Sequence, residues 1–197
     1  MGKYIYNEFT YWNRRSEPSS APEDYNTEHL FYIEKHLEGM EYILDFGPGI
    51  GRMFPAYGDI RNVTGCDIST LYSERVMEES KNFPFKFKLD HTDEPFHLSY
   101  GHKEFDAVVS CAVFLHCRPE TIMSQMKELI RVSKKVITVS KYDENIEFDE
   151  PVILCKNKYR CNFNYNYYQI CEDNNWTIID PIKYKRNLFF VYKEKGE

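Results

Sequence analysis

The sequence predicts a single-domain α/β fold, a mostly parallel sheet with helices on both faces and a C-terminal antiparallel hairpin. Three observations predict it. Short apolar runs alternate along the chain with segments of helical periodicity, the order that builds a parallel sheet. The first of those runs ends in an acid followed by three glycines at alternate positions, "YILDFGPGIGR" from Tyr42 to Arg52. The final two runs, "WTIIDPIKY" and "NLFFVYKE", follow each other closely enough to pair as a hairpin.

An aromatic N-terminal segment carries the Pro/Ser stretch "SEPSSAPEDY". The spacing of Leu30, Ile33 and Leu37 then predicts a helix from Thr27 to Glu38, with Gly39 as its C-cap. Strands are predicted at Tyr42 to Phe46, Asn62 to Cys66, Phe85 to Leu89, Phe105 to Cys111 and Lys135 to Ser140. Helices fall between them. One runs from Ser69 to Lys81 with Ser69 as N-cap, and another from Pro119 to Val132 with proline in its first turn. A further helix is expected from Tyr165 to Asn174, ahead of the hairpin at 175–194. No internal repeat is visible.

At 197 residues, with 42% hydrophobic, 28% charged and 16% aromatic residues, the composition is that of a soluble globular domain. No apolar run approaches the roughly 18 residues of a membrane span, and the polar N-terminus lacks the apolar centre of a secretory signal. A cytoplasmic location is expected. The six cysteines are scattered without a C-x-x-C pair, and Cys66 and Cys111 fall inside strand runs, so buried free thiols are expected. The six histidines form no metal-ligand pattern. No metal is expected. A net charge of −6 disfavours a large polyanionic partner such as nucleic acid.

A strand that delivers the chain into a glycine-rich turn brings bare backbone N–H groups against a ligand. The dinucleotide fingerprint needs G-x-G-x-x-G, whereas here G-P-G-I-G is followed by Arg52. With Asp45 two residues ahead of the first glycine, the stretch resembles motif I of the class I S-adenosylmethionine-dependent methyltransferases. Further matches support the resemblance: Asp67 ends the second strand in "VTGCDIS", "LDHTDEPF" resembles the acidic motif III, and "FDAVVSCAVFLHCRPETIMSQMKELIRVSKKVITVS" resembles the family's strand four, loop, helix and strand five. The likeness covers Glu41 to Ser140 well. It implies one Rossmann-like domain over 1–197 with a seven-stranded sheet. Within it, 1–38 is a cap or lid with the first helix, 41–140 the cofactor core, and 141–168 a substrate-side insertion.

The resemblance implies S-adenosylmethionine as cofactor. Gly47, Gly49 and Gly51 would pass under its methionine and ribose, Asp45 would organise the turn and reach the amino end, and Asp67 would hold the ribose hydroxyls. An N-cap role is the alternative for Asp67. Asp90 would accept from the adenine amine, Ile68 or Leu71 would touch the ring, His91 would wall the pocket, and Cys111 would line it without nucleophilic duty.

His116 in "FLHC" is the candidate general base, with simple packing as the alternative; His29, His36, His97 and His102 are expected to face solvent. No [DN]-P-P-[YFW] tetrad, Pro-Cys nucleophile or separate target-recognition domain is present, which favours a small-molecule acceptor, methylated at oxygen or nitrogen. Its pocket is expected from the N-terminal cap (Tyr4, Tyr11, Trp12, Arg14, Arg15) and from the insertion (Tyr142, Tyr159, Tyr165, Tyr167, Tyr168), although for any single tyrosine packing at a sheet edge is the favoured reading. The rival readings are a non-catalytic subunit that binds the cofactor and an NAD(P)-dependent oxidoreductase. Oligomeric state is not legible.

Overall fold

The computed structural model describes residues 12–13, 27–145, 151–152 and 162–196. Five parallel strands, β1 (Tyr42–Phe46), β2 (Asn62–Asp67), β3 (Lys86–His91), β4 (Ala107–Cys111) and β5 (Val136–Lys141), are joined by the hairpin β8 (Trp176–Tyr184) and β9 (Asn187–Glu194). They form one sheet in the order β3-β2-β1-β4-β5-β9-β8, with β9 antiparallel to both its neighbours. Two short strands, β6 (Pro151–Val152) and β7 (Asn162–Phe163), pair separately.

The strands read as near-continuous apolar runs because both faces of the sheet are covered. Helices α1 (Thr27–Leu37) and α2 (Ser73–Ser80) and a short 3-10 helix at Phe54–Tyr57 lie on one face, around Ile43, Val63, Val109, Ile137 and Val139. The other face carries α3 (Pro119–Val132) and α4 (Tyr167–Asp173) over Leu44, Val108, Val136, Leu188 and Phe190. A right-handed parallel sheet whose order reverses between β1 and β4 opens a crevice there, at the carboxyl ends of the strands.

The expected elements stand, with local differences. Helix α2 begins at Ser73, and Tyr72 occupies the N-cap without a side-chain bond. Ser69 is therefore not its cap: its hydroxyl accepts from the Leu71 N–H and donates to the Trp12 carbonyl. Strand β4 starts at Ala107 rather than Phe105, which makes only an isolated bridge to Ser133. His29 and His36 do not face solvent. His29 is buried against the Phe189 ring, and His36 reaches Asp180 at a bulge in β8, where Lys35 and the Tyr32 hydroxyl also bind. Helical spacing put both on α1; the hairpin that covers them is distant in sequence.

One buried clamp shapes the loop before β4. Glu128 of α3 accepts the Leu98 N–H at 2.6 Å and pairs with Arg131, which in turn donates to the carbonyls of Leu98 and Tyr100. Glu128→Ala leaves a buried N–H and a guanidinium without their carboxylate, so unfolding in urea should show a loss of about 2–4 kcal/mol. A change within ~0.5 kcal/mol would mean that water replaces the clamp.

Candidate functional site

Strand β1 ends in the turn Gly47–Gly51, where all three glycines have positive φ: +76°, +55° and +81°. Two of them are required by packing as well. A Cβ on Gly47 would meet Val113 Cγ2 at 2.6 Å, and one on Gly51 would meet the Phe54 ring at 2.6 Å. Gly49 is different, because a Cβ there meets no atom of the described residues within 4 Å. Its bare backbone faces open space. The turn leads into the 3-10 helix at Phe54–Tyr57, not into an α-helix, since Pro55 and Gly58 punctuate the segment. Donors for a ligand thus come from the turn itself, without a helix end behind them.

Asp45, the fourth residue of β1, is buried at 2% exposure under this turn. Burial pushes its carboxyl from the ordinary 3.8 up to about 7; the neighbouring Tyr57 hydroxyl works against that shift and the charge of Asp67 adds to it. Tyr57 faces the carboxylate without reaching hydrogen-bond geometry. Asp45 Oδ2 and the Tyr57 hydroxyl are both buried with no hydrogen-bond partner among the described residues. Such orphaned polar atoms are costly and are found where a side chain serves a function.

Asp67 ends β2. Its Oδ1 accepts the Ser69 N–H at 2.9 Å and its Oδ2 the Gly49 N–H at 3.3 Å, so the carboxylate ties the glycine turn to the loop after β2. Burial raises its pKa, and these N–H donors work against the rise. Asp90 in β3 accepts at Oδ2 from Lys88 (2.8 Å) and from the Tyr100 hydroxyl (3.0 Å). Ile68 is half-buried, Leu71 is exposed, and His91 is exposed with Nε2 3.0 Å from the Ser73 hydroxyl. Cys111, half-buried at the end of β4, has its thiol pushed up to about 12 by burial and by Asp45, with Arg52 acting in the opposite sense. The next residue, Ala112, has φ +58°, an uncommon conformation for alanine and one found at functional loops.

His116 lies in a 3-10 turn at Phe114–His116, buried at 8% exposure, with the Trp12 ring edge-on at 4.9 Å. The residue after Trp12 docks on the other side of the crevice: Asn13 Nδ2 donates to the Ile68 carbonyl at 3.0 Å and its Oδ1 accepts the Thr70 N–H at 3.1 Å. Trp12 and Asn13 thereby bridge the loop after β2 and the loop after β4. Tyr4, Tyr11, Arg14, Arg15 and Tyr159 lie outside the described residues. Of the other expected pocket tyrosines, Tyr165 is fully buried and donates to the Cys117 carbonyl, and Tyr167 is fully buried and bonds Ser140. Those two support the His116 loop from beneath. Tyr142 packs edge-on to Tyr168 at 5.9 Å, with the Lys183 ammonium over both rings.

Residues 43–135 match the model of a methyltransferase domain. The match spans a little under half of the chain and takes in the glycine turn and the strands on either side of it. No curated protein matches the sequence significantly. Among solved structures it is similar to a protein of Pyrococcus horikoshii OT3 (19% identity, TM-score 0.65, covering 88% of this chain and 94% of that one). It is also similar to magnesium protoporphyrin IX methyltransferase of Synechocystis PCC 6803 with bound S-adenosylhomocysteine (14%, 0.64, 95% and 94%). A third similar structure is the [4+2]-cyclase SpnF (13%, 0.65, 85% and 80%). At these identities the likeness shows the fold alone.

S-adenosylmethionine is the family's cofactor, and the residues present suit it: an orphaned carboxylate oxygen for a cationic amine, open space over Gly49, and a carboxylate at the end of β2. Sequence reasoning did not single out Tyr57 or Asn13, whose neighbours are distant along the chain. No helix among the described residues is long and apolar enough to cross a membrane.

The raised Asp45 pKa has a definite sign. A group that binds its proton more tightly when folded contributes stability that is complete below its unfolded value and is lost as pH rises through about 7. Asp45→Asn, which stays neutral, should therefore melt progressively higher than the wild type between pH 5 and pH 8. A melting-temperature difference that does not change with pH would show that Asp45 is already ionised in the ligand-free protein.

Proposed function

We propose that the chain is an S-adenosylmethionine-dependent methyltransferase acting on a small-molecule acceptor at oxygen or nitrogen. The observation that carries this reading is the buried Asp45 oxygen, without a hydrogen-bond partner among the described residues, beneath a glycine turn that those residues leave open above Gly49. An oxygen so placed calls for a cation, and the amino group of the cofactor's methionine supplies one. Asp67 keeps acceptor capacity after its two N–H bonds, since each carboxylate oxygen has two lone pairs, and takes the ribose hydroxyls. Oδ1 of Asp90 accepts from the adenine amine while Tyr100 and Lys88 hold Oδ2. Ile68, Leu71 and His91 border the adenine, and Cys111 lines the floor.

When bound, the cofactor supplies a methyl group activated by a sulfonium, so the chain's own residues mainly align and enclose. Trp12 and Asn13 close the crevice from the N-terminal side and exclude water. His116, edge-on to Trp12 on the loop after β4, takes the proton of an acceptor hydroxyl. Tyr142 and Tyr165 serve the acceptor side, Tyr142 at its rim and Tyr165 by holding the Cys117 carbonyl.

Calorimetry with S-adenosylhomocysteine tests the cofactor site. Gly49→Ala meets no atom of the described residues, and its φ of +55° should cost about 1–2 kcal/mol of stability; its methyl occupies the ligand's space, so in the folded variant affinity should fall about tenfold or more. Binding near pH 7 should also release protons from Asp45, seen as a dependence of the heat on buffer ionisation. Binding of NAD(P) in place of S-adenosylhomocysteine overturns the reading.

The catalytic role is tested separately, once an acceptor is found. His116→Ala should lower turnover at least about tenfold for a hydroxyl acceptor, with cofactor affinity unchanged. Equal turnover in the two forms would leave His116 as packing for Trp12. Cofactor binding without transfer to any acceptor would identify a regulatory subunit.

A further inference from the structure

Lys141 is the last residue of β5 and is only 8% exposed. It has no hydrogen bond or ion pair among the described residues, although its stem is buried in the sheet. Burial lowers its pKa, and the charge of Arg186 lowers it further, against the opposing charge of Asp143. Asp143 is already engaged: its carboxylate accepts twice from Asn145, at 3.1 Å each, and Arg186 Nε lies 3.5 Å from its Oδ2. Two cations share one carboxylate here. A lysine this little exposed, with a second cation beside it and only a shared carboxylate to balance the two, is suited to an anion.

Strand alternation decides which way Lys141 faces. Ile137 and Val139 pack into the core beneath α1 and the 3-10 helix, whereas Ser140 bonds Tyr167 on the opposite face. Lys141 therefore lies on the first of these faces. By the same alternation Asp45 follows Ile43, Cys111 follows Val109 and Asp67 follows Val63 on that face. Register sets the order along the rim: Val109 pairs with Asp45, and Val139 pairs with Cys111, so Cys111 and Lys141 each lie two residues beyond the partner of the preceding strand. The strand ends thus present Asp67, Asp45, Cys111 and Lys141 in a row, carboxylates at one end and the lone ammonium at the other.

We infer that Lys141 is an anion-binding residue of the acceptor pocket, and that the acceptor carries a carboxylate or a phosphate. The inference rests on the methyltransferase reading above, in which the cofactor occupies the Asp67–Asp45 side of the row. An acidic acceptor held at Lys141 brings the remainder of its body toward Cys111 and the methyl. The bound anion supplies the counter-charge that Asp143 cannot, and a charge-assisted bond in a partly enclosed site is stronger than one at an open surface.

The experiment uses the full chain saturated with S-adenosylhomocysteine and measures binding of matched probes by calorimetry: benzoate against benzamide, and phenyl phosphate against phenol. One or both anions should bind at least about tenfold tighter than the neutral partner, and the pair that shows the preference identifies the group. Lys141→Met should abolish the preference and Lys141→Arg should restore much of it, with affinity for S-adenosylhomocysteine unchanged in both. Lys141→Met should also melt no lower than the wild type, because it removes a charge that makes no ion pair among the described residues and that Arg186 repels. Equal binding of anionic and neutral probes, no binding of either anion, or an undiminished preference in Lys141→Met overturns the inference. Failure to bind S-adenosylhomocysteine would instead strike at the methyltransferase reading.

Discussion

The structure depends on how closely the turn after β1 is pressed between its neighbours. Val113 from the loop after β4 and the ring of Phe54 both occupy the space where side chains of residues 47 and 51 would be. Only bare backbone fits, and it fits with φ positive. This contact fixes the turn at the point where the strand order reverses, between β1 and β4. It also seals Asp45 beneath the turn. The proposed place of the cofactor's amino group follows from a carboxylate oxygen that has no hydrogen-bond partner among the described residues.

Charge is distributed unevenly along the strand ends. Asp67 has its N–H donors from Gly49 and Ser69, and so stabilises the same turn that hides Asp45. Asp45 has no such donor at Oδ2 among the described residues and is left with a raised pKa and the Tyr57 hydroxyl alongside. Removing solvent from a carboxylate without replacing it by hydrogen bonds favours the neutral form. A cationic ligand reverses that balance. At the far end of the row Lys141 presents the opposite case, an ammonium whose neighbour Arg186 repels it.

The crevice is spanned rather than merely lined. Asn13 reads the backbone of Ile68 and Thr70, and Trp12 sets its ring against His116. Those contacts tie one end of the chain to two loops that belong to different halves of the sheet. A ligand beneath them is enclosed only when both loops are correctly placed. The buried hydroxyl of Tyr165, bonded to the Cys117 carbonyl, holds the second loop from the opposite side. Likeness to a [4+2]-cyclase shows that this fold carries more than one reaction, so the chemistry rests on these side chains rather than on the sheet.

Amino-acid order alone determined what depends on local geometry. Helix α3 was legible over its whole length, Pro119 to Val132, because proline fits the first turn and the apolar residues keep one face. The hairpin, the five parallel strands and the glycine turn were legible for the same reason: alternation, run length and a demand for bare backbone are properties of neighbours in sequence. Ser69 misled because a serine before a helical pattern is a usual cap, and only the docked Asn13 and Trp12 reveal its other bonds. His29 and His36 were expected in solvent until a hairpin more than a hundred residues away covered them. Tyr57 beside Asp45, and Lys141 beside Arg186 without an ion pair, were likewise decided by tertiary structure, since burial and partnership depend on which distant segments are brought together, and no spacing along the chain records that.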